Sequence, residues 1–132
     1  MKLRIAWFTE QPHQGRIPRN FRNMRNDAAW MCTLGADHYN IHNVDWWKAQ
    51  DKPYDLGIVT IPKANPEFNI EKVRSYCEQV TFMQEGPHWY FQDKPLDQQV
   101  WYYNTLHEMD FLFVHNEIDK KYYEGLTGKK CM

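Results

Sequence analysis

The chain has 132 residues, a length that suits a single domain. Apolar residues make up 42% and charged residues 25%, which argues against a disordered chain, and a net charge of −1 leaves no overall field to draw nucleic acid or an anionic membrane. Aromatic residues reach 16%, with six Trp and eight Tyr, so many rings must be buried or used for binding.

Leu3, Ile5, Ala6, Trp7 and Phe8 form a short, nearly continuous apolar run, the mark of a strand buried on both faces. Glu10, Gln11, Pro12 and His13 follow where a signal peptide would carry small residues, and no apolar run approaches the ~18–20 residues that span a bilayer. A polar loop runs to Asn20, and then Phe21, Met24, Ala28 and Met31 recur at helical spacing, with Gly35 suited to the stop. Tyr39 and Ile41 predict a short strand, and 45–54 a connection. The run from Leu56 to Ile61 predicts a strand ended by Pro62. Asn69 can cap a helix with Ile70, Val73 and Cys77 on one face. Val80 to Met83 predicts the fourth strand.

Gly86 and Pro87 break the chain next. Asp93 is a candidate cap for a helix whose apolar face is Leu96, Val100, Tyr103 and His107. Phe111 to Val114 predicts the fifth strand. Asn116 can cap a last helix carrying Ile118, Tyr122 and Leu126, which Gly128 ends. Lys129 to Met132 reads as the start of another strand. Strands alternating with helices imply right-handed crossovers, so the expected fold is a Rossmann-like α/β domain over residues 1–132, a mainly parallel sheet flanked by helices.

The segment MDFLFVHNEIDKKYYEGLTGKKCM, from Met109 to Met132, resembles the end of the N-terminal domain of GT-B glycosyltransferases: a strand ending in Asn, a short helix with Tyr and Lys, a Gly-Lys pair and a further strand. YDLGIVTIPK resembles that family's third strand, and KLRIAWFTE with the following glycine loop its first βα unit. The resemblance implies the front, acceptor-side half of a two-domain enzyme with its active site between the domains. The nucleotide sugar is then a co-substrate on a C-terminal donor-binding domain, often held by glutamates spaced Glu-x7-Glu. Glu71 and Glu78, like Glu117 and Glu124, are one residue too close for that pair.

Ligands of parallel sheets sit beyond the carboxyl ends of the strands. Of the loops there, the first carries Glu10, His13 and Gly15. Either His13 or Glu10 could act as general base on an acceptor hydroxyl, and Gly15 would admit close backbone approach. Arg16, Arg19, Arg22 and Arg25 make a stripe that could meet phosphate, with an ordinary solvated helix face as the alternative. The loop after the fourth strand carries Glu85, His88, Trp89 and Tyr90, candidates for acceptor contacts, with a hydrophobic plug as the alternative. The resemblance loosely matches His88 to a histidine that contacts the transferred sugar in some retaining members.

No metal site is expected: His38 and His42 are four apart on a strand, ~13 Å between side chains, and His107 and His115 fall on different elements. Glycine fingerprints for dinucleotides or nucleoside triphosphates are absent. Cys32, Cys77 and Cys131 form no CxxC pair and predict packed thiols in a reducing, cytoplasmic setting. The arginine stripe is the one feature that keeps nucleic acid open as a partner. The rival to the enzyme reading is a flavodoxin-like domain that only binds, through its aromatic loops.

Overall fold

The computed structural model describes residues 3–9, 15–16, 35–41, 54–61, 69–84 and 86–132. Among these residues six strands form one sheet: β1 (Ile5–Thr9), β2 (Gly15–Arg16), β3 (Asp37–Asn40), β4 (Tyr54–Val59), β5 (Cys77–Met83) and β6 (Phe111–Phe113). The described helices follow the later strands: α1 (Ile70–Tyr76), α2 (Leu96–His107) and α3 (Glu117–Thr127). A 3-10 turn at Tyr90–Asp93 precedes α2.

The sheet order is β2-β3-β1-β4-β5-β6. β3, β1, β4, β5 and β6 are parallel, and only the two-residue β2 runs against its neighbour. Counting the parallel strands alone gives the doubly wound order 2-1-3-4-5, with the direction of winding reversing between β1 and β4. Beyond β6 the chain pairs once more. Leu112 and Cys131 form a parallel bridge, held by Leu112 N–H to Lys130 O at 2.9 Å and Met132 N–H to Leu112 O at 2.8 Å. Of the strand start expected at Lys129–Met132, the structure shows this one bridge beside β6.

Every described crossover from β4 onward moves in one direction along the sheet, so right-handed connections place α1, α2 and α3 on one face. Ala6, Phe8, Val59, Val80, Phe82 and Leu112 meet them there, with Val73, Leu106, Met109 and Tyr123 from the helices and loops, all at most 3% exposed. On the opposite face Trp7, His38 and Ile58 are at most 1% exposed. Both faces of the central strands are covered, as a Rossmann-like three-layer domain requires. Full burial stabilises each such large side chain by roughly 1.5–3 kcal/mol relative to exposure.

Local chemistry sets the helix ends. Asn69 Oδ1 accepts from Glu71 N–H at 2.9 Å, and Asn116 Oδ1 from Asp119 N–H at 2.9 Å, as their cap positions predict. Gly128 closes α3 with φ 69°, a left-handed conformation that glycine adopts without a Cβ clash.

Several expectations need correction. Cys77 belongs to β5, which starts three residues earlier than its apolar run suggests. Asp93 is in the 3-10 turn, and Pro95 occupies the α2 cap position with no side-chain bond. The core face of α2 is Tyr102, Thr105 and Leu106, while Leu96 is 75% exposed and Val100 49%. On α3 the buried residues are Asp119, Tyr123 and Thr127, and Ile118 is 73% exposed. The cause is local satisfaction of hydroxyls. Thr105 donates to Trp101 O and Thr127 to Tyr123 O, each at 2.7 Å, and the Tyr102 and Tyr123 hydroxyls bond each other at 2.9 Å. Polar residues thereby face the sheet at little cost, and the purely apolar stripes turn outward. The helix expected over Phe21–Met31 lies outside the described residues.

Candidate functional site

At the carboxyl ends of β5 and β6 five polar side chains converge. β5 delivers Gln84, the loop after it His88, the end of β6 His115 and Asn116, and the first turn of α3 Asp119. Asp119 is the centre. Its Oδ1 lies 2.6 Å from His88 Nδ1, and its Oδ2 accepts from Gln84 Nε2 at 2.8 Å and Asn116 Nδ2 at 3.2 Å.

Partner chemistry sets the orientation of each group. Gln84 Nε2 also donates to Gly86 O at 2.9 Å, and Gln84 Oε1 accepts from His115 N–H at 3.0 Å. His115 Nε2 sits 2.7 Å from Gln84 O, an atom that can only accept, so Nε2 carries the proton there. The Asp119 side chain is 9% exposed. Burial pushes its carboxyl upward, but hydrogen bonds from Gln84 and His88 and the positive potential of His88 and His115 outweigh it and leave the group below the ordinary aspartate range. An ionised Asp119 accepts, so His88 Nδ1 holds a hydrogen, and a ring with that single proton has its lone pair on Nε2. Among the described residues nothing hydrogen-bonds Nε2. A carboxylate that fixes a histidine tautomer and leaves the other nitrogen available is the arrangement of a general base or a hydrogen-bond acceptor for a ligand.

The His88 ring lies against Tyr122, centroids 4.5 Å apart. It opens into a shallow depression shared with Pro87, Trp89, Asn116 and Ile118. Trp89 is 53% exposed and presents an indole face beside the dyad.

No family model, curated protein or solved structure matches this chain.

The structure brings together two of the sequence-predicted site residues, His88 and Trp89. Gly15 and Arg16 lie elsewhere: β2 pairs with the start of β3, Gly15 opposite His38 and Arg16 opposite Asp37. Gly15 is thus an edge-strand residue, four strand spacings or ~19 Å from β5 across the sheet. Glu10, His13, Arg19 and Glu85 lie outside the described residues. At the point where the winding reverses, Thr9, Thr60 and Ile61 are buried, and Thr60 Oγ1 accepts from the Trp7 indole at 3.0 Å.

Sequence reasoning missed Gln84 and Asp119 as site residues. Asp119 sits in the first turn of α3, where the helix dipole favours an acid whatever its further role. The one signal available was polarity: Gln84 directly ends an apolar strand, and Asp119 falls on the helix face that meets the sheet. Among the described residues no group of three or more His, Cys, Asp and Glu side chains is placed to hold a metal ion. No helix among them is long and apolar enough to cross a membrane.

Proposed function

We propose that this domain is the acceptor side of a glycosyltransferase of the GT-B type, with the His88–Asp119 pair at the acceptor hydroxyl. The observation that carries the reading is the His88 tautomer, fixed by Asp119 at the carboxyl edge of a parallel sheet and open at Nε2. Trp89, exposed beside it, offers an apolar ring on which a sugar face can stack. The resemblance of 109–132 to the end of a GT-B N-terminal domain supports the same reading, by analogy of fold and motif.

In this mechanism the acceptor hydroxyl donates its proton to His88 Nε2 while its oxygen bonds to the anomeric carbon. The bond from that carbon to the nucleotide diphosphate breaks, and its electron pair leaves with the phosphate. Asp119 stabilises the imidazolium that forms. The nucleotide sugar binds to a C-terminal donor domain. Gln84 acts one step back, as a positioning residue that holds Asp119, and His115 in turn holds Gln84.

Thermal melting of the chain with a panel of methyl glycosides tests the binding half of this reading. A ligand that binds only the folded state raises the melting temperature. The expected result is stabilisation by at least one glycoside, none by free nucleoside diphosphate, and loss of the effect in Trp89→Ala and His88→Ala. Absence of stabilisation by every glycoside would sink the reading in favour of a domain that binds another kind of partner.

A further inference from the structure

His88 is the one described residue that lines both the depression beside Trp89 and a second recess, a cleft between the 3-10 turn, α2 and α3. Its two neighbours divide between them. Asp119, which meets His88 Nδ1 at 2.6 Å, lines the depression and not the cleft. Tyr122, whose ring lies 4.5 Å from the imidazole, lines the cleft and not the depression. The imidazole therefore stands where the two recesses meet.

The recesses differ in chemistry. The depression holds the Asp119 carboxylate, His115 and Asn116 beside the Trp89 ring, which suits the hydroxyls and one apolar face of a sugar. The cleft is walled mainly by Phe91, Leu96, Val100, Tyr103, Tyr122 and Leu126, and no Lys, Arg, Asp or Glu lines it. Several of its polar groups already have protein partners: Gln99 Nε2 donates to Lys94 O at 2.7 Å, Gln92 Nε2 to the Tyr122 hydroxyl at 3.3 Å, and the Tyr102 hydroxyl pairs with that of Tyr123 at 2.9 Å. Leu96 and Val100, 75% and 49% exposed, leave apolar surface in water that an apolar group would cover. The volume is about 290 Å³, and about 150 Å³ holds a benzene ring, so a ring or a short alkyl chain fits.

Resting on the sugar-transfer reading above, we propose that the acceptor is a glycoside with an apolar aglycone. Its sugar lies against Trp89 in the depression, its aglycone fills the cleft, and His88 meets a sugar hydroxyl beside the link between them. A second copy of the chain is the rival occupant of the cleft. The continuity of cleft and depression through one imidazole favours a single ligand across both.

The test is calorimetric titration of the full chain with matched methyl and phenyl glycosides of glucose, galactose and mannose, and with phenol alone. For at least one sugar the phenyl glycoside should bind at least about tenfold tighter than the methyl glycoside, the consequence of taking a phenyl ring out of water. Phenol alone should bind more weakly than that phenyl glycoside. Val100→Glu and Leu96→Glu each put a charge in the cleft wall at an exposed position, and a variant that keeps the wild-type melt should lower the phenyl glycoside to the wild-type methyl level. The wild-type ratios decide the matter even where a variant does not fold. Equal affinity of methyl and phenyl glycosides would overturn this inference and leave the sugar-transfer reading standing. So would a gain that survives in both folded wall variants, which would put the phenyl ring outside the cleft. Phenol binding as tightly as its glycoside would separate the cleft from the sugar site and end the proposal. A dimer that Val100→Glu dissociates, in a chain with no phenyl gain, would give the cleft to a second copy. No binding of any glycoside would remove the sugar-transfer reading and this inference with it.

Discussion

Asp119 has more than one role, and its substitution should show each of them. Its backbone N–H completes the Asn116 cap, and its carboxylate joins Gln84, His88 and Asn116. Replacing it by Asn keeps the size and the backbone bond. The amide, however, must turn its NH2 toward a group that already donates, either Gln84 Nε2 or His88 Nδ1. Facing Gln84, the NH2 leaves a buried donor unpaired, at roughly 1–3 kcal/mol; facing His88, it requires the imidazole to carry its proton on Nε2 instead. Either way the charge-assisted bonds are lost, so Asp119→Asn should lower the midpoint of urea unfolding at neutral pH. The pH dependence has a definite sign. The folded-state pKa of Asp119 lies below the ordinary aspartate value, so the unfolded chain takes up the proton first as pH falls. Its contribution is complete above the ordinary aspartate range and disappears as pH drops through the folded value. The difference in stability between wild type and Asp119→Asn should shrink across that acidic window. A constant difference at every pH would mean that the carboxylate charge contributes nothing.

The elements hold one another through close contacts that a single methyl can test. Gly57 of β4 faces Cys77 and Phe8: a Cβ there would lie 2.6 Å from Cys77 Sγ and 3.3 Å from a Phe8 ring carbon. Cys77 is buried at the start of β5, its thiol pushed up to about 12 by burial, so it behaves as a small apolar group. Gly57→Ala should cost roughly 1–3 kcal/mol by overpacking. Cys77→Ala removes the nearest atom, so the double variant should be less destabilised than the sum of the two singles, a coupling that urea titrations of all four proteins measure. Additive losses would place the strain in the backbone instead. This glycine also shows what was readable in advance. The run Leu56 to Ile61 announces a strand, but the reason for a glycine within it lies twenty residues away on its neighbour. The same division holds throughout. Caps at Asn69 and Asn116, the stop at Gly128 and the apolar runs of the parallel strands are local signals, and they were legible. The inward faces of α2 and α3 were not, because Tyr102, Thr105, Tyr123 and Thr127 bury polar atoms whose partners are other residues of the same layer. The β2 pairing was not legible either, being two residues with no apolar pattern. Half of the site was visible in His88 and Trp89, since a histidine and a ring after a strand suggest contact with a ligand. Its other half, Asp119, lies 31 residues further on, and only the crossover through α2 brings the two together.

At the scale of the whole molecule, the last four residues bind the edge of the sheet to its interior. Leu112 is fully buried, and its N–H and C=O both pair with the terminal segment, while Val114 N–H bonds Met132 O at 3.0 Å. Cys131, 3% exposed, packs in the same cluster as Tyr123 and Leu106. The segment therefore completes the cover over β6 and fixes where α3 must end, which in turn sets Asp119 against His88. Ending the chain after Gly128 would remove three backbone hydrogen bonds and the Cys131 side chain. At about 1 kcal/mol for each net hydrogen bond and a similar amount for the thiol, the expected loss is roughly 2–4 kcal/mol. For a domain of this size that is a fall in melting temperature on the order of 10 °C. Amide exchange should locate the effect: Leu112 and Val114 lose protection first, and the β1 and β4 amides follow only by global unfolding. If the shortened chain instead melts like the full one, with Leu112 still protected, then β6 is held by β5 and α3 alone. The pairing seen at Cys131 would then add nothing to the fold, and the alignment of Asp119 with His88 would have to be built from the helix caps and Gln84.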